Sequence, residues 1–127
     1  MNIFGIGTDI VSVVRIKNSL KNKSFINFIF NKKEISKCKN IKNRINCYAK
    51  RFAAKEAFSK ALGTGISKGI NFNEIVILNE KSGKPYISII GDTKKILKRK
   101  FKKKKSKISL SLSDEKKYAV AFVTISL

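Results

Sequence analysis

The chain contains no histidine and no tryptophan, and it has only one proline and two cysteines. The absence of histidine excludes every mechanism that needs an imidazole as a base or as a metal ligand. Two cysteines are too few for zinc sites of the Cys₄ type, and Cys₂His₂ sites are excluded as well. The remaining chemistry is that of carboxylates, lysines, arginines, hydroxyl groups, backbone amides and a bound hard cation.

Acidic residues are also scarce. The 127 residues include 8 Asp and Glu against 29 Lys and Arg, which gives a formal net charge of +21. Most of the basic residues are lysines, and this excess has two explanations: a compositional bias that accumulates on the surface, or selection for an acidic partner. In both cases an acidic macromolecule or a phosphate-rich ligand is attracted to the chain, and salt weakens that attraction.

Long hydrophobic runs are missing. No segment approaches the roughly 20 apolar residues that span a bilayer. The apolar run from Met1 to Ile6 is too short for a secretory signal, and Asp9 interrupts the apolar residues after it. Cys38 and Cys47 lack the CxxC spacing, so two reduced thiols are expected. We therefore expect a cytoplasmic protein without membrane association, folded as a single domain over residues 1–127 with 43% hydrophobic residues.

The hydrophobic pattern predicts an α+β fold. The clearest element is a helix from Asn43 to Leu62, ended by Gly63. A strand over 1–10 precedes a helix over 10–20, then a short helix capped by Ser24 and a helical or irregular stretch over 32–42. Hairpins are predicted from 72–78 with 85–90 and from 108–112 with 118–127, with a basic amphipathic helix over 93–105 between them. This order predicts a small, mostly antiparallel sheet packed against the long central helix.

Two carboxylates stand in unusual settings. Glu56 projects between Phe52 and Ala53 and not onto a solvated lysine face. A carboxylate among small and aromatic side chains is costly unless a positive group lies beside it. Glu56 has two interpretations: an ion pair with Lys60 at i,i+4, or half of a metal site. Asp9 either caps the following helix or supplies the other half. Carboxylate, water and phosphate oxygens are the usual ligands of Mg²⁺.

A basic cluster lies on the long helix. Arg51 and Lys55 share one face at i,i+4, and Lys60 lies nearer to Glu56. The turn Gly63-Thr64-Gly65 offers backbone amides and close approach to a phosphate. This cluster favours a polyphosphate ligand, although its order and spacing differ from those of a Walker A loop.

Several segments together resemble the small, acyl-carrier-protein-synthase type of 4′-phosphopantetheinyl transferases. The resemblance spans essentially the whole chain, and its most specific part is the Phe-Ala-Ala-Lys-Glu-Ala segment paired with the early Asp. The segments that carry it are Gly5-Ile6-Gly7-Thr8-Asp9-Ile10 with Arg15-Ile16, then 51–66, Gly83-Lys84-Pro85-Tyr86, Ser109-Leu110-Ser111 and Tyr118-Ala119-Val120-Ala121.

The resemblance implies the 4′-phosphopantetheinyl transferase fold and a transfer of the 4′-phosphopantetheine arm from coenzyme A to a serine of an acidic apo-acyl carrier protein. Adenosine 3′,5′-bisphosphate is the by-product, and a homotrimer with active sites between subunits is expected. The implied catalytic residues are Asp9, Glu56 and Lys60, with Mg²⁺ held by Asp9 and Glu56. The implied coenzyme A ligands are Arg51, Lys60, Gly63, Thr64, Gly65, Pro85, Lys107 and Ser109, and the implied carrier-protein contacts are Arg15, Lys21 and Lys23.

One position departs from the family pattern. The family usually has a His just before the Ser-[Ile/Leu]-Ser/Thr strand, and here Lys107 takes that place. A lysine still neutralises a phosphate, so the departure concerns the adenosine end of coenzyme A and not the metal centre.

Two alternative functions stay open at this point. One is a basic RNA-binding module that uses Lys98 to Lys107, although no ribonucleoprotein-type motif is present and no nucleic-acid partner is expected. The other is a non-catalytic binder of coenzyme A or carrier protein with the same fold.

Overall fold

The computed structural model of the chain describes residues 1–63 and 69–127. None of the helices in this described part is long and apolar enough to cross a membrane. The elements in chain order are β1 (Ile3–Ser12), α1 (Val13–Ser19), α2 (Lys23–Ile29), α3 (Lys32–Lys39), α4 (Arg44–Leu62), a 3₁₀ turn (Phe72–Glu74), β2 (Ile75–Asn79), β3 (Pro85–Ile89), α5 (Gly91–Lys100), β4 (Lys107–Asp114) and β5 (Tyr118–Ser126).

The strands form two antiparallel sheets around the long helix α4. One sheet has the order β1-β5-β4, and β2 pairs with β3 in the other. Helix α4 packs against β1 and β5 through small side chains, and Ala53, Ala57 and Ala121 are completely buried. A Cβ atom at Gly7 would overlap the carbonyl oxygen of Ala57, so glycine is required there. The close approach of β1 to α4 sets the distance between Asp9 and the helix.

The expected fold class is therefore confirmed, while several boundaries move. Strand β1 continues to Ser12, so Asp9 lies within the strand and does not cap α1. The Ser12 side chain takes that role and accepts a hydrogen bond from the Arg15 backbone N–H. Asn22, not Ser24, caps α2. The capping interpretation of Asp9 is thus wrong, which leaves its carboxylate available for another role.

Helix α5 also differs from its prediction. It ends at Lys100 instead of 105, and the next residues turn sharply, with φ of 52° at Lys102 and 63° at Lys103. The first predicted hairpin strand begins with the 3₁₀ turn at Phe72–Glu74 before β2 starts. Helical periodicity is a poor guide here because the lysine-rich sequence has no residue that marks the end of the helix.

A buried ion pair joins α3 to α4. The Lys55 ammonium donates to Glu34 Oε1 at 2.7 Å, to the Phe72 carbonyl at 2.7 Å and to the Ile75 carbonyl at 2.6 Å. Glu34 also accepts a hydrogen bond from the Ile77 backbone N–H. Burial lowers the pKa of Lys55 to about 8, although Glu34 opposes the shift. Lys55 is fully buried in the core, so its assignment to a phosphate-binding face is wrong.

The two cysteines form a disulfide, contrary to the expectation of two reduced thiols. Cys38 at the end of α3 is bonded to Cys47 in the first turn of α4, and their Cα atoms are 5.5 Å apart. The packing of α3 on α4 brings the sulfurs together although nine positions separate them. That tertiary contact leaves no local spacing signal in the sequence.

Candidate active site

The Asp9 carboxylate lies where β1 meets α4. The Lys60 ammonium, from the last turn of α4, donates to Asp9 Oδ1 at 3.2 Å and to the Thr8 carbonyl at 2.9 Å. The second carboxylate oxygen, Asp9 Oδ2, is buried and has no hydrogen-bond partner among residues 1–63 and 69–127. A buried, unpaired carboxylate oxygen is costly, and a cation is the kind of ligand that removes the cost.

Glu56 faces the same cavity as Asp9. Both residues line a pocket of about 390 Å³ between β1, α1 and α4. Because Lys60 pairs with Asp9, the i,i+4 ion pair that would have explained Glu56 structurally is not formed. The structure thus brings together the two carboxylates that are 47 positions apart in the chain.

The electrostatics of the two carboxyl groups are coupled. Burial raises the pKa of Glu56, and the negative charge of Asp9 raises it further, while Lys60 opposes the shift. Burial also raises the pKa of Asp9, and the hydrogen bond and charge of Lys60 oppose it. Two carboxylates that repel each other in a partly buried pocket form a site that favours a cation.

The two carboxylates of Asp9 and Glu56 suit Mg²⁺ better than they suit a metal whose ligands all come from protein side chains. Among residues 1–63 and 69–127, no group of three or more His, Cys, Asp or Glu side chains is arranged to hold a metal. Mg²⁺ is commonly bound by one or two carboxylates and completes its shell with water and substrate phosphates. Two carboxylates with one unpaired oxygen fit that pattern.

The rest of the pocket wall was not predicted as functional. The rings of Phe25 and Phe52 lie 6.0 Å apart along it, and the Ser12 and Ser19 side chains border it. Arg15, which was predicted, lines the pocket on the α1 side. Ser12 caps α1, and Arg15 and Ser19 follow it at three- and four-residue spacing; this spacing is the signal that identifies the wall.

Other predicted residues lie outside the pocket. Arg51 is buried, and its guanidinium donates to the Cys47 carbonyl at 3.3 Å and to Asn79 Oδ1 at 2.9 Å, while its Nε has no partner. Burial lowers the pKa of Arg51, and Glu34 opposes the shift. Gly63 caps α4 with φ of 80°. Thr64 and Gly65 lie outside the described residues.

The remaining predicted positions lie on other elements. Pro85 opens β3, and Lys107 and Ser109 are exposed on β4. Lys21 and Lys23 are exposed at the junction of α1 and α2. The chain alone therefore assembles Asp9, Glu56, Lys60 and Arg15, and it does not bring Pro85, Lys107 or Ser109 into the same pocket.

Comparison with known proteins identifies the family of the chain. The profile described as "4'-phosphopantetheinyl transferase superfamily" matches residues 5–123, and the chain belongs to this family. It is 50% identical over 125 residues to the holo-[acyl-carrier-protein] synthase of Pelagibacter ubique, with 98% of each chain covered. It is 45% identical to the enzyme of the same name from Ehrlichia canis, with 97% of this chain and 94% of the relative covered.

Solved structures give the same result. The holo-[acyl-carrier-protein] synthase from Neisseria meningitidis superposes with a TM-score of 0.89 at 39% identity, covering 98% of this chain and 99% of that one. The enzyme from Bacillus anthracis, solved in complex with CoA (3',5'-ADP), superposes with a TM-score of 0.80 at 35% identity, covering 98% and 97%. The expected family, enzyme class and fold are confirmed.

Proposed function

We propose that Asp9, Glu56 and Lys60 carry out the reaction of the family in this chain. In that reaction the 4′-phosphopantetheine arm moves from coenzyme A to a serine of apo-acyl carrier protein, and adenosine 3′,5′-bisphosphate is released. The supporting observation is the buried, unpaired oxygen of Asp9 in a pocket shared with Glu56, beside the Lys60 ammonium. The arrangement combines negative ligands for a cation with one positive group for a phosphate.

Asp9 and Glu56 are the residues that hold Mg²⁺ in this proposal. When bound, Mg²⁺ supplies positive charge against the pyrophosphate of coenzyme A. Lys60 is half exposed and lies next to Asp9, so its ammonium reaches a phosphate there and neutralises the charge that grows on the leaving oxygen. Phosphoryl transfer depends on such positioning and charge neutralisation more than on covalent help from the protein.

The serine that attacks must lose its proton. The chain has no histidine, and Glu56 is the pocket carboxylate that does not pair with Lys60. A bound cation would oppose the rise in the pKa of Glu56, so its position in the pocket, and not that pKa, is the reason for choosing it as the proton acceptor. We assign the proton to Glu56, directly or through one water molecule.

The same two carboxyl groups give the reaction its pH dependence. Because the pKa values of Asp9 and Glu56 are raised, each retains its proton to a higher pH than an ordinary carboxyl group, and a cation binds only after the protons leave. We expect Mg²⁺ affinity to fall as the pH decreases, beginning above the ordinary carboxyl range of about 4. Calorimetric Mg²⁺ titrations over a pH series measure this decrease in affinity. A constant affinity across the acidic and neutral range would contradict the assignment.

Coenzyme A extends beyond the metal centre along several predicted residues. The Arg51 guanidinium has an unpaired buried Nε and is the positive group that we assign to the 3′-phosphate of the ribose. Gly63, Thr64, Gly65 and Pro85 form the proposed contacts to the pantetheine and diphosphate portion. Lys107 and Ser109 are assigned to the adenosine end, although they are exposed on β4.

We propose that a homotrimer completes this site. On the face of the β1-β5-β4 sheet that points away from α4, β1 and β5 carry exposed apolar side chains: Ile6 is 60%, Ile10 63% and Phe122 44% exposed. An exposed apolar patch of this kind is typical of an interface. Lys107 and Ser109 lie on the outer side of the same sheet. In the proposed trimer, an interface on this side places them next to the pocket of a neighbouring subunit.

The trimer is tested by substitution on this face. We expect the native chain to elute with three times the 14.3 kDa chain mass in light-scattering chromatography, and Phe122→Lys to elute as a monomer without activity. Phe28→Lys is the matched control, because Phe28 is exposed on α2, away from the sheet. A Phe122→Lys protein that remains a trimer, or a native chain that is monomeric, contradicts this proposal.

The carrier protein is proposed to dock beside α1. Arg15 on α1 lines the pocket and is exposed, and Lys21 and Lys23 are exposed at the junction of α1 and α2, where acidic side chains of a carrier protein are attracted. Such a protein places its serine next to Glu56.

The coenzyme A and carrier substrates support a cytoplasmic location, which we propose for this chain.

Arg15→Glu is expected to raise the KM for apo-carrier protein by about 10- to 100-fold, since a repulsive charge replaces an attractive one at the docking surface. The KM for coenzyme A should remain within about twofold of the native value. Lys33→Glu, on the exposed side of α3, makes the same charge change away from the pocket and should alter neither constant. Equal effects of the two substitutions would show that only net charge matters.

Intact-mass analysis tests the function as a whole. Incubation of the chain with apo-carrier protein, coenzyme A and Mg²⁺ should add one phosphopantetheine group to the carrier protein, and omission of Mg²⁺ or coenzyme A should prevent the addition. An unchanged carrier mass under all conditions would favour a non-catalytic binder or an RNA-binding module.

A further inference from the structure

A second cavity, larger than the active-site pocket, lies elsewhere on the chain. Its volume is about 880 Å³, and none of the described residues lines both this cavity and the pocket that contains Asp9 and Glu56. We call it the α5 groove because it runs between α5, the segment after α5 and the start of β4. Its lining residues are Ile89, Lys94, Leu97, Lys98, Arg99, Phe101–Lys105, Ser106 and Ile108.

The floor of the α5 groove is apolar. Leu97 and Phe101 come from α5 and its end, Ile89 from β3 and Ile108 from β4. Leu97 and Phe101 are only 5% and 4% exposed and form the bottom of the groove, while the half-buried Ile89 and Ile108 supply apolar surface that a ligand can contact. A volume between 300 and about 1,000 Å³ is typical of pockets that enclose a small molecule.

The rim of the α5 groove is uniformly basic. Seven lysine or arginine residues line it, and none of its described lining residues is acidic. Two of them, Lys102 and Lys103, have positive φ values of 52° and 63°, a strained conformation for residues other than glycine. Like charges above a low-dielectric floor concentrate a positive potential in the groove. The rim therefore selects an anion, and the floor selects a hydrocarbon.

We propose that the α5 groove binds a free, single-chain anionic amphiphile, with the hydrocarbon chain on the apolar floor and a phosphate or carboxylate head among the rim lysines. A bare anion leaves the floor uncovered, and a neutral lipid leaves the lysines unpaired. The groove is recessed between α5 and the start of β4, so a single chain enters it and a flat bilayer surface does not. This ligand is distinct from both substrates of the proposed reaction.

Calorimetry of the full chain with alkyl phosphates tests both halves of the proposal. Dodecyl phosphate, below its micelle concentration, should bind with one molecule per chain. Each methylene removed should weaken binding about fourfold, so octyl phosphate should bind about two orders of magnitude more weakly. Inorganic phosphate presents the anionic head without a tail, and dodecyltrimethylammonium presents the same tail with a cationic head. Neither should bind at the same concentrations. Equal affinity for octyl and dodecyl phosphate, or binding of the cationic amphiphile, overturns the proposal.

Charge reversal locates the ligand. The pair Lys98→Glu and Lys102→Glu should weaken dodecyl phosphate binding at least tenfold, while Lys32→Glu and Lys33→Glu, exposed on α3, should not. All four positions are at the surface, and thermal melting confirms that the variants fold.

Two further measurements separate the α5 groove from other sources of binding. Saturating coenzyme A should not displace dodecyl phosphate, and displacement assigns the amphiphile to the coenzyme A site and overturns the proposal. Binding to phosphatidylglycerol vesicles in the absence of any binding to monomeric dodecyl phosphate identifies a membrane surface instead, which also overturns it. These results do not depend on the outcome of the transferase assay.

Discussion

Glu56→Gln should abolish coenzyme-A-dependent modification of carrier protein, with a loss of about a thousandfold or more in kcat. The glutamine has the same shape but no charge, so it neither holds the cation with Asp9 nor accepts the serine proton. The fold should be unaffected. Because the pKa of Glu56 is raised by burial and by Asp9, its ionised form is unfavourable in the folded chain, and a neutral side chain does not lower stability.

This result is measured by intact mass over time, with circular dichroism and thermal melting of the same preparation. Glu80→Gln is the matched control, because Glu80 is exposed in the turn between β2 and β3 and should retain full activity. A Glu56→Gln enzyme that modifies carrier protein at the native rate refutes the metal assignment.

Lys55→Met should destabilise the chain by about 3–5 kcal/mol. The substitution leaves the Glu34 carboxylate buried without its positive partner, and it leaves the carbonyls of Phe72 and Ile75 without their donor. Most of the effect comes from the uncompensated charge and not from the loss of an attractive pair. A loss of this size is more than half of the stability of a typical domain at the lower end of the range of about 5–15 kcal/mol.

Urea unfolding of two further variants isolates that cause. Adding Glu34→Gln to Lys55→Met should recover part of the lost stability, because the buried charge is removed along with its partner. Lys50→Met, which breaks a partly exposed pair with Asp114 at 3.7 Å, should cost less than about 1 kcal/mol. Equal costs for the Lys50 and Lys55 substitutions contradict the role of the buried pair.

The elements themselves were largely predictable from the sequence. The helix ending at Gly63 and the two hairpins are indicated by local periodicity and turn residues, and the structure contains them within a few residues. Local patterns did not predict the side of α4 that meets solvent. That helix is buried on most of its circumference, including Arg51 and Lys55, so a charged residue on it is no marker of an exposed face.

The candidate site was predictable for a different reason. Nothing local connects Asp9 to Glu56, and the residues alone left a helix cap and an i,i+4 pair as alternatives. The family resemblance selected the metal interpretation, and the structure removed both alternatives by extending β1 to Ser12 and by pairing Lys60 with Asp9. The disulfide and the partner of Lys55 depend on tertiary contacts of α3, a segment whose polar sequence had no clear helical pattern.

Crystals of the chain grown with coenzyme A and Mn²⁺ in place of Mg²⁺ test the central claim most directly. The anomalous signal of manganese should give one peak per subunit, within about 2.0–2.3 Å of an oxygen of Asp9 and an oxygen of Glu56 and in contact with the pyrophosphate. A bound coenzyme A whose pyrophosphate lies away from both carboxylates, with no peak between them, would show that these two residues do not form the metal centre.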